Sequence, residues 1–475
     1  MMDPHARVHF VGIGGMGMSA IARVLLARGH RVSGSDLRIS AATRRLQAHG
    51  ATIHIGHDPR HVEGVDVVVV SRAVPETNAE VMAARRHGLR LYHRAEVLSQ
   101  ILAGGRAIAV VGTHGKTTTT AMTAHVLAAG GFDPTALIGA DVDGLDGNVR
   151  LGAGQYLVAE VDESDGSLLH VHPAVAVVTS LDITDHSDHY GTAERLVQTF
   201  AQFLGTLAAD GFAVLCADHH HVRELAARVA TRTVTYGVSS AAGYTATIHA
   251  MHGHETQCTF HREKTVLGPV TLPVPGRYNV ANALAATAVA MELGMRFDAI
   301  ASALTQFGGV GRRFSVRGEV GGVMVVDDYA HNPVKVAAVL RAVREAWPDR
   351  RIVAVFQPHR YSRTQTTYRG FAAAFDDCDE LIITELYSAD EVPIPGVGAS
   401  LIVDAVRAHR PVTFISDAGR LVDHLLPSLR GGDVVLTLGA GDIGAVADDL
   451  VAALRVRHEG MAPTDRSASV RQPEA

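Results

Sequence analysis

The sequence predicts an α/β protein of three domains with mainly parallel sheets. Short apolar runs rich in Val, Ile and Ala alternate with segments of helical periodicity, which is the pattern of strands joined by crossover helices. The 475 residues correspond to three domains at about 150 residues each. A hydrophobic content of 47% and a mean hydropathy of +0.13 are typical of globular packing. Strands are predicted at 7–11, 31–34, 65–70, 106–111, 156–160, 174–180, 323–327, 352–356, 380–384 and 434–438.

Domain boundaries follow from glycines and from changes of pattern. A glycine pair at 104–105 precedes a new strand, and the glycine-rich segment 307–311 permits a hinge. Residues 237–275 alternate Thr, Val and His and predict a small antiparallel sheet within the second domain. Residues from 457 onward are polar and aperiodic, as expected of a disordered tail. The predicted domains and tail are 1–103, 104–314, 315–456 and 457–475.

Composition and charge exclude several classes of protein. The longest apolar runs, such as 65–70, are far shorter than the roughly 18 residues of a membrane-spanning helix. Residues 1–10 lack the apolar core of a secretory signal, so no membrane insertion and a cytoplasmic location are expected. A net charge of −6 argues against nucleic-acid binding. Cys216, Cys258 and Cys378 lack metal or disulfide spacing and are predicted to be inert thiols.

The first candidate site is a glycine-rich loop between the strand at 7–11 and a helix predicted from Ser19. Its sequence has the pattern G-x-G-x-x-G, and an acidic residue follows near the end of the next strand. Backbone N–H groups at the start of such a helix bind diphosphates. The loop therefore predicts a nucleotide or nucleotide-sugar site, with a tight structural turn as the alternative. The residues concerned are Gly12, Gly14, Gly15, Gly17 and Asp36.

A second loop, GTHGKTT, follows the strand at 106–111 and is more specific. Its glycines allow backbone N–H groups to surround phosphate oxygens, while the ammonium of Lys116 reaches the outer phosphates and the hydroxyl of Thr117 joins a magnesium shell. Only three of the 43 basic residues are lysines, which favours a site that requires a compact ammonium. The predicted phosphate-binding residues are Gly112, Thr113, His114, Gly115, Lys116, Thr117 and Thr118.

Acidic and histidine residues follow the next two strands of the central domain. Residues 160–165 (EVDESD) follow one strand, and residues 182–190 (DITDHSDHY), with His186 and His189, follow the other. Carboxylates at the C-terminal ends of parallel strands beside a phosphate loop collect hard cations. The pattern predicts a magnesium site, and the alternative is a solvated acidic loop.

Polar segments further along the chain indicate additional ligand contacts. Asn279 and Asn282 are three residues apart and can share one helix face toward a base or ribose, although Asn279 can instead cap that helix. Asp218 is expected to cap the helix that follows it. In the third domain, Asp328 and the segment 357–363 (QPHRYSR) follow strands, and arginine forks suit phosphate or carboxylate. Structural salt bridges are the alternative there.

Together these motifs resemble the Mur ligase superfamily over residues 8–445. The opening segment and FQPHRYSRT favour members that add L-alanine. The resemblance implies an N-terminal Rossmann-like domain for a UDP-sugar, a central ATPase, and a C-terminal Rossmann-like domain that closes over the site. The segments that carry the resemblance are 8–37, GTHGKTTTT (112–120), EVDESDGS (160–167), GRYNVANALAA (276–286), GVGRRF (309–314), DDYAHNP (327–333), FQPHRYSRT (356–364), IPGV (394–397) and LGAGDI (438–443).

The resemblance also implies the chemistry. ATP, with Mg²⁺, would phosphorylate the lactyl carboxylate of UDP-N-acetylmuramate, and the amine of L-alanine would attack the acyl phosphate, a step of peptidoglycan precursor synthesis. By matching position, Lys116 and His186 are implied as catalytic, and Thr117, Glu160 and His186 as metal ligands. Implied ATP contacts are Asn279, Asn282, Arg313 and Asp328, with Arg312 as the alternative to Arg313. Implied substrate contacts are His359, Arg360 and Arg363, besides the first glycine loop.

Three departures from the family pattern bear on these assignments. Tyr278 and Asn332 stand where the family usually has histidine, and the segment 179–190 is one residue longer than usual, which makes His189 an alternative to His186. Other readings are another ligase of the superfamily, a nucleotide-binding regulator, or a nicotinamide-dependent oxidoreductase using the first loop. The oxidoreductase reading leaves GTHGKTT unexplained.

Overall fold

The structure, a computed structural model, describes residues 3, 5–164, 166–183 and 190–460. The chain forms two compact units, Met1–Arg313 and Phe314–Ala475. Both units are built on mainly parallel sheets, and two of the three sheets carry antiparallel strands at an edge, so the predicted α/β class is confirmed. Within the described residues, no helix has the length and apolar character needed to cross a membrane.

The first unit begins with a parallel sheet flanked by helices. Its strands are β1 (Arg7–Val11), β2 (Arg31–Asp36), β3 (Thr52–Ile55), β4 (Val67–Val70) and β5 (Arg90–His93). Its helices are α1 (Met16–Ala27), α2 (Ala41–Ala48), α3 (Ala79–Arg86) and α4 (Arg94–Leu102), with a 3₁₀ turn at Pro59–Val62. The strand order β3-β2-β1-β4-β5 reverses direction between β1 and β4. Ligands bind at such a switch point, beyond the carboxyl ends of the strands.

A buried carboxylate ties the strands of this sheet to α3. The side chain of Glu80 is fully buried, and its oxygens lie 2.5 Å from Ser35 Oγ, 2.6 Å from His61 Nδ1 and 3.0 Å from His57 Nδ1. Burial alone would raise the pKa of Glu80, but interactions with His9, Ser35 and His61 lower it to about 2. Glu80 is therefore ionised in the folded protein at neutral pH.

We expect Glu80→Gln to lower the free energy of unfolding by about 1–3 kcal/mol, because the amide leaves a buried donor unpaired. The pKa of Glu80 is lower in the folded state than its ordinary value of 4.5. Its contribution to stability is then fully present above pH 4.5 and lost as the pH falls toward 2. Urea unfolding at several pH values in this range should show that the free energy of unfolding falls more steeply with decreasing pH in the wild type than in the variant. Identical slopes, or an equal effect of the exposed control Glu63→Gln, would contradict this.

The second sheet of the first unit begins after α4. Its strands are β6 (Arg106–Val111), β7 (Thr135–Leu137), β8 (Val149–Arg150), β9 (Tyr156–Glu160), β10 (Val175–Val178), β11 (Phe212–Cys216), β12 (Thr233–Gly237), β13 (Tyr244–His252), β14 (Glu255–Arg262) and β15 (Thr265–Leu272). The described helices are α5 (Lys116–Ala129), α6 (Ala193–Leu204), α7 (His220–Arg228), α8 (Arg277–Glu292) and α9 (Phe297–Thr305), with a 3₁₀ turn at Ser167–His170. The order is β15-β14-β13-β12-β11-β10-β6-β9-β7-β8.

Pairing within this sheet confirms the predicted antiparallel segment. β13, β14 and β15 pair antiparallel, while β9, β6, β10, β11 and β12 form the parallel centre. The alanine-rich helix α8 is buried along most of its length and packs against α5. Small side chains permit this close approach, which brings the start of α8 to the start of α5.

Two local expectations for this sheet have different outcomes. Asp218 does not cap α7, so that prediction is wrong: His219 occupies the cap position, and Asp218 accepts N–H groups at 2.7–2.9 Å from the turn between β12 and β13. The cysteines are buried, as expected of inert thiols. Burial raises the pKa of Cys216 to about 11 and those of Cys258 and Cys378 to about 12.

The second unit is built on one sheet with an antiparallel edge strand. Its strands are β16 (Ser315–Val320), β17 (Val323–Asp328), β18 (Arg351–Phe356), β19 (Glu380–Thr384), β20 (Thr413–Ile415) and β21 (Asp433–Leu438). Its helices are α10 (Pro333–Ala346), α11 (Tyr361–Thr367), α12 (Ala399–Arg407), α13 (Leu421–Leu425) and α14 (Ile443–Gly460), with 3₁₀ turns at Tyr368–Phe371 and Ala418–Arg420. The order is β16-β17-β21-β18-β19-β20, and β16 pairs antiparallel with β17.

Two features of this unit refine the expectations from sequence. Asn332 is the N-cap of α10, and its Oδ1 accepts the N–H of Lys335 at 2.8 Å. Residues 457–460 belong to α14, so the predicted tail is wrong for these four residues. Arg457 holds the end of the helix because its Nη1 donates to the carbonyls of Leu426 at 2.5 Å and Leu429 at 3.2 Å. The rest of the predicted tail lies outside the described residues.

Candidate active site

The loop between β6 and α5 wraps closely around its own backbone. Gly112 and Gly115 have φ values of +120° and +79°. A Cβ atom on Gly112 would lie 2.5 Å from Thr179 Oγ1, and one on Gly115 would lie 2.7 Å from Asn282 Oδ1. Only glycine fits both positions. No side chain of the described residues caps α5, which begins at Lys116, so its first N–H groups face the loop.

Hydrogen bonds from the end of β10 hold this loop in shape. Thr113 Oγ1 and Ser180 Oγ are 2.9 Å apart, and Ser180 Oγ accepts the N–H of His114 at 2.8 Å. Thr179 Oγ1 donates to the carbonyl of His114 at 2.5 Å. Ser180 therefore anchors the loop through its hydroxyl group. Thr117 and Thr118 are buried in the first turn of α5.

The ammonium of Lys116 lies inside the loop and is paired with a buried carboxylate. Its Nζ donates to the carbonyl of Gly112 at 2.5 Å and to Glu163 Oε1 at 2.9 Å. Burial alone would lower the pKa of Lys116, but the negative charges of Glu163, Glu160 and Asp162 raise it above its ordinary value. Lys116 therefore stays charged inside the loop, and its contact with the outer phosphates of a nucleotide stays a prediction.

The two asparagines of α8 are brought to this loop. Asn282 Oδ1 accepts the hydroxyl of Thr119 at 3.1 Å, and Asn282 Nδ2 lies 3.4 Å from Asn279 Oδ1. The alternative in which Asn279 caps the helix is wrong, because Gly276 is the N-cap and Asn279 Nδ2 donates to the carbonyl of Pro275 at 2.7 Å. The predicted pair of amides thus shares one face beside the phosphate loop. Contact with a base or ribose stays a prediction.

A cavity of about 380 Å³ connects the two glycine-rich loops. Gly15, Gly17 and Lys116 lie on its wall together with Glu160, which ends β9. Within the described residues, the buried atom Glu160 Oε2 has no hydrogen-bond partner. A buried carboxylate oxygen without a donor, beside a phosphate loop, fits a hard divalent cation such as Mg²⁺. The assignment of Glu160 and Thr117 as metal ligands stays a prediction.

The first glycine loop presents the start of α1 to this cavity. Gly15 is the N-cap of α1 and offers no side-chain cap. Asp36, which ends β2, accepts the N–H of Gly14 at 2.8 Å, and a Cβ on Gly14 would lie 2.8 Å from the same carboxylate oxygen. Gly12 turns the chain with φ at +79°. Asp36 thus fixes the loop, and its predicted contact with substrate is untested.

Several cavity residues were missed by the sequence analysis. The most prominent is Arg94, the first residue of α4, whose Nη2 donates to Asp162 Oδ2 at 2.5 Å. Ser71, which follows β4, also lies on the wall. Both positions come directly after parallel strands of the first sheet, and that position was the available signal.

The predicted ATP contacts Arg313 and Asp328 belong to different units. The N–H of Arg313 donates to the carbonyl of Val310 at 3.0 Å in the turn that ends the first unit. Asp328, at the end of β17, accepts the N–H groups of Phe314 at 2.7 Å and Ala330 at 2.8 Å. Arg312, the alternative to Arg313, has a φ of +57°. The choice between the two arginines stays open.

The predicted carboxylate-binding residues of the second unit gather after β18. The ring of His359 stacks on that of Tyr387 with centroids 5.7 Å apart, and His359 Nδ1 lies 3.1 Å from Arg363 Nη1. Arg360 has a φ of +69° and a ψ of 140°, and its N–H donates to the carbonyl of Tyr387 at 2.8 Å. An arginine held in this sparsely populated conformation stores about 1–3 kcal/mol of strain.

We expect Arg360→Gly to unfold with a free energy about 1–2 kcal/mol greater than Arg360→Ala, because glycine relieves the strain and alanine keeps it. Both variants should bind carboxylate substrates less well than the wild type. Urea unfolding of the full chain measures the difference. At Arg363, inside α11, the matched pair should show the opposite order, because glycine weakens a helix. If the glycine variant is the more stable one at both positions, the backbone of Arg360 is not strained.

The predicted residue His186 and its alternative His189 lie outside the described residues. Their assignment as metal ligand and catalytic group stays a prediction.

Comparison with known proteins supplies the family. Residues 7–106 match the family profile described as "Mur ligase family, catalytic domain", residues 110–290 match "Mur ligase middle domain", and residues 312–441 match "Mur ligase, glutamate ligase domain". These matches cover each of the three sheets.

Full-length relatives agree with these matches. The UDP-N-acetylmuramate–L-alanine ligase of Geotalea daltonii is 48% identical over 451 residues, which is 94% of this chain and 98% of the relative. The ligase of the same name from Trichlorobacter lovleyi is 48% identical over 448 residues, with the same coverage. The crystal structure of the UDP-N-acetylmuramate–alanine ligase MurC of Thermotoga maritima matches with a TM-score of 0.83 and 30% identity, covering 95% of this chain and all of that one. This chain belongs to the Mur ligase family.

Proposed function

We propose that this protein is an ATP-dependent ligase that joins L-alanine to the carboxylate of UDP-N-acetylmuramate in peptidoglycan precursor synthesis. The identity of 48% over nearly the full length of ligases with that activity carries the proposal. The cavity supports it from the chemistry, because it brings a diphosphate-type helix start and a phosphate loop to one space. A reaction between a sugar nucleotide and ATP requires that arrangement.

Within this function, Lys116 holds the transferred phosphoryl group of ATP. A carboxylate is a poor electrophile, so the lactyl carboxylate is first converted to an acyl phosphate, and phosphate leaves after the amine attacks. The ammonium of Lys116 neutralises charge that develops on the phosphoryl oxygens. Asn279 and Asn282 hold the nucleoside part of ATP beside the loop.

The residues on the cavity wall also suit Mg²⁺. Thr117 and Glu160 would hold the ion, with His186 as a further ligand. When bound, Mg²⁺ neutralises charge on the phosphates and polarises the bond to the transferred group. Glu160 would contribute the buried oxygen that lacks a protein donor.

Phosphate release from ATP tests this function. The protein is mixed with UDP-N-acetylmuramate and, in separate reactions, with alanine, glycine, serine, glutamate or a tripeptide. Release that requires both the sugar nucleotide and alanine supports the proposal. Release that depends on a tripeptide or on another amino acid identifies a different ligase of the family. Absence of turnover with every acceptor contradicts ligase activity.

A further inference from the structure

Arg94 occupies the same part of the cavity as the start of α1. Its Nη1 lies 3.3 Å from the position that a Cβ atom on Gly17 would occupy. Its Nη2 donates to Asp162 Oδ2 at 2.5 Å, and about a fifth of the side chain is exposed. The guanidinium therefore lies between two features of the cavity. One is the start of α1, which follows the first strand of the first sheet, and the other is the carboxylate of Asp162, which follows β9 in the second sheet.

The cavity balances its positive charges with carboxylates. Arg94 pairs with Asp162, and Lys116 pairs with Glu163. The carboxylate of Asp162 thus already occupies one side of the Arg94 guanidinium, with Oδ2 2.5 Å from Nη2. A diphosphate that binds at the start of α1 brings further negative charge to the same guanidinium. It must compete with Asp162 for the arginine or share it.

We propose that Arg94 binds the diphosphate of the sugar nucleotide and that Asp162 is a competing carboxylate, which holds the guanidinium in position until the substrate arrives. This inference rests on the proposed function and names a binding residue for it. The guanidinium has five donors in a planar fork, so it can turn from one carboxylate to two phosphate oxygens without leaving the cavity wall.

Two other ion pairs across the two sheets of this unit lie outside the cavity lining. Arg45 Nη2 is 2.8 Å from Asp141 Oδ1, and His49 Nε2 is 2.6 Å from Asp146 Oδ2. These pairs join α2 to the segment that follows β7, outside the residues that line the cavity. They are suited to hold the two sheets together, whereas the pair of Arg94 faces the space where a ligand binds.

Opposite effects of two substitutions separate ligand binding from a structural ion pair. We expect Arg94→Ala to raise the Kd of UDP-N-acetylmuramate about 10- to 100-fold, since a charged hydrogen bond to phosphate is lost. Arg94→Lys should give an intermediate value. Asp162→Asn should lower the Kd several-fold, because the competitor is neutralised. A structural pair would instead give weaker binding in both Arg94→Ala and Asp162→Asn.

Isothermal titration calorimetry of the full chain measures these constants. Arg45→Ala, which breaks a cross-sheet pair outside the cavity, should leave the Kd unchanged. UDP alone should show the same loss in Arg94→Ala, and uridine, which lacks the diphosphate, should not. An equal loss with uridine, or an unchanged Kd for UDP, overturns the inference. A wild-type protein that fails to bind UDP-N-acetylmuramate contradicts the proposed function instead.

Discussion

Lys116→Arg is expected to lower the rate of phosphate release by about 10²- to 10³-fold, the effect of removing one well-placed group that stabilises charge in a transition state. The ammonium lies 2.5 Å from the carbonyl of Gly112 and 2.9 Å from Glu163. A planar guanidinium is larger and cannot occupy this position without opening the loop. A positive charge at position 116 is therefore not sufficient for the wild-type rate of phosphate release.

The rate should be measured with saturating ATP, UDP-N-acetylmuramate and alanine. Lys264→Arg is the matched control, because Lys264 is exposed in the turn between β14 and β15. It should keep the wild-type rate. Near-normal turnover of Lys116→Arg would contradict the role given to this lysine.

Glu160→Gln is expected to lower the same rate by about 10²-fold or more and to raise the Mg²⁺ concentration required for half-maximal rate. A neutral amide is a weaker ligand for a hard cation than a carboxylate, and the charge neutralisation that the ion supplies contributes several kcal/mol. Glu160 Oε2 is buried without a hydrogen-bond partner in the described residues. No hydrogen bond to Oε2 is therefore lost when the carboxylate is replaced.

A second measurement separates metal binding from a structural role. Without Mg²⁺, Glu160→Gln should unfold at a higher temperature than the wild type, because Glu160, Asp162 and Glu163 all act on the one charge of Lys116 and removing one carboxylate reduces their mutual repulsion. Added Mg²⁺ should stabilise the wild type more than the variant. Glu194→Gln, at an exposed ion pair with Arg228, is the control and should match the wild type in both assays. A variant that is less stable without the ion would contradict the assignment.

Local patterns predicted the elements of the sheets well. The predicted strands at 7–11, 106–111, 156–160 and 380–384 have the observed bounds, and the helix after the first glycine loop begins at Met16 rather than Ser19. A strand that is buried on both faces has a continuous apolar run, so each run alone indicates where a strand of a parallel sheet lies. The difference at Met16 arises because Gly15 already has the extended conformation of an N-cap.

Polar side chains were harder to place. Asp218 has the residue type and position of a helix cap, yet its carboxylate is taken by backbone N–H groups of the turn after β12. The competing donors lie about twenty residues away and are not visible in a local pattern. Arg94 gave no motif at all, because it is one of many arginines and its partner lies on another sheet.

The sequence by itself determined the α/β class, the two glycine-rich loops, Lys116 and the acidic cluster at 160–165, because these depend on short-range patterns of glycine, apolar runs and residue type, whereas Glu160 was singled out within that cluster by the family resemblance. Only the tertiary structure decided which charged side chains form ion pairs with each other. Lys116 meets Glu163 over 47 positions and Arg94 meets Asp162 over 68. Strand order sets which loop ends share an edge, and packing of the two sheets then sets which charges meet in the cavity.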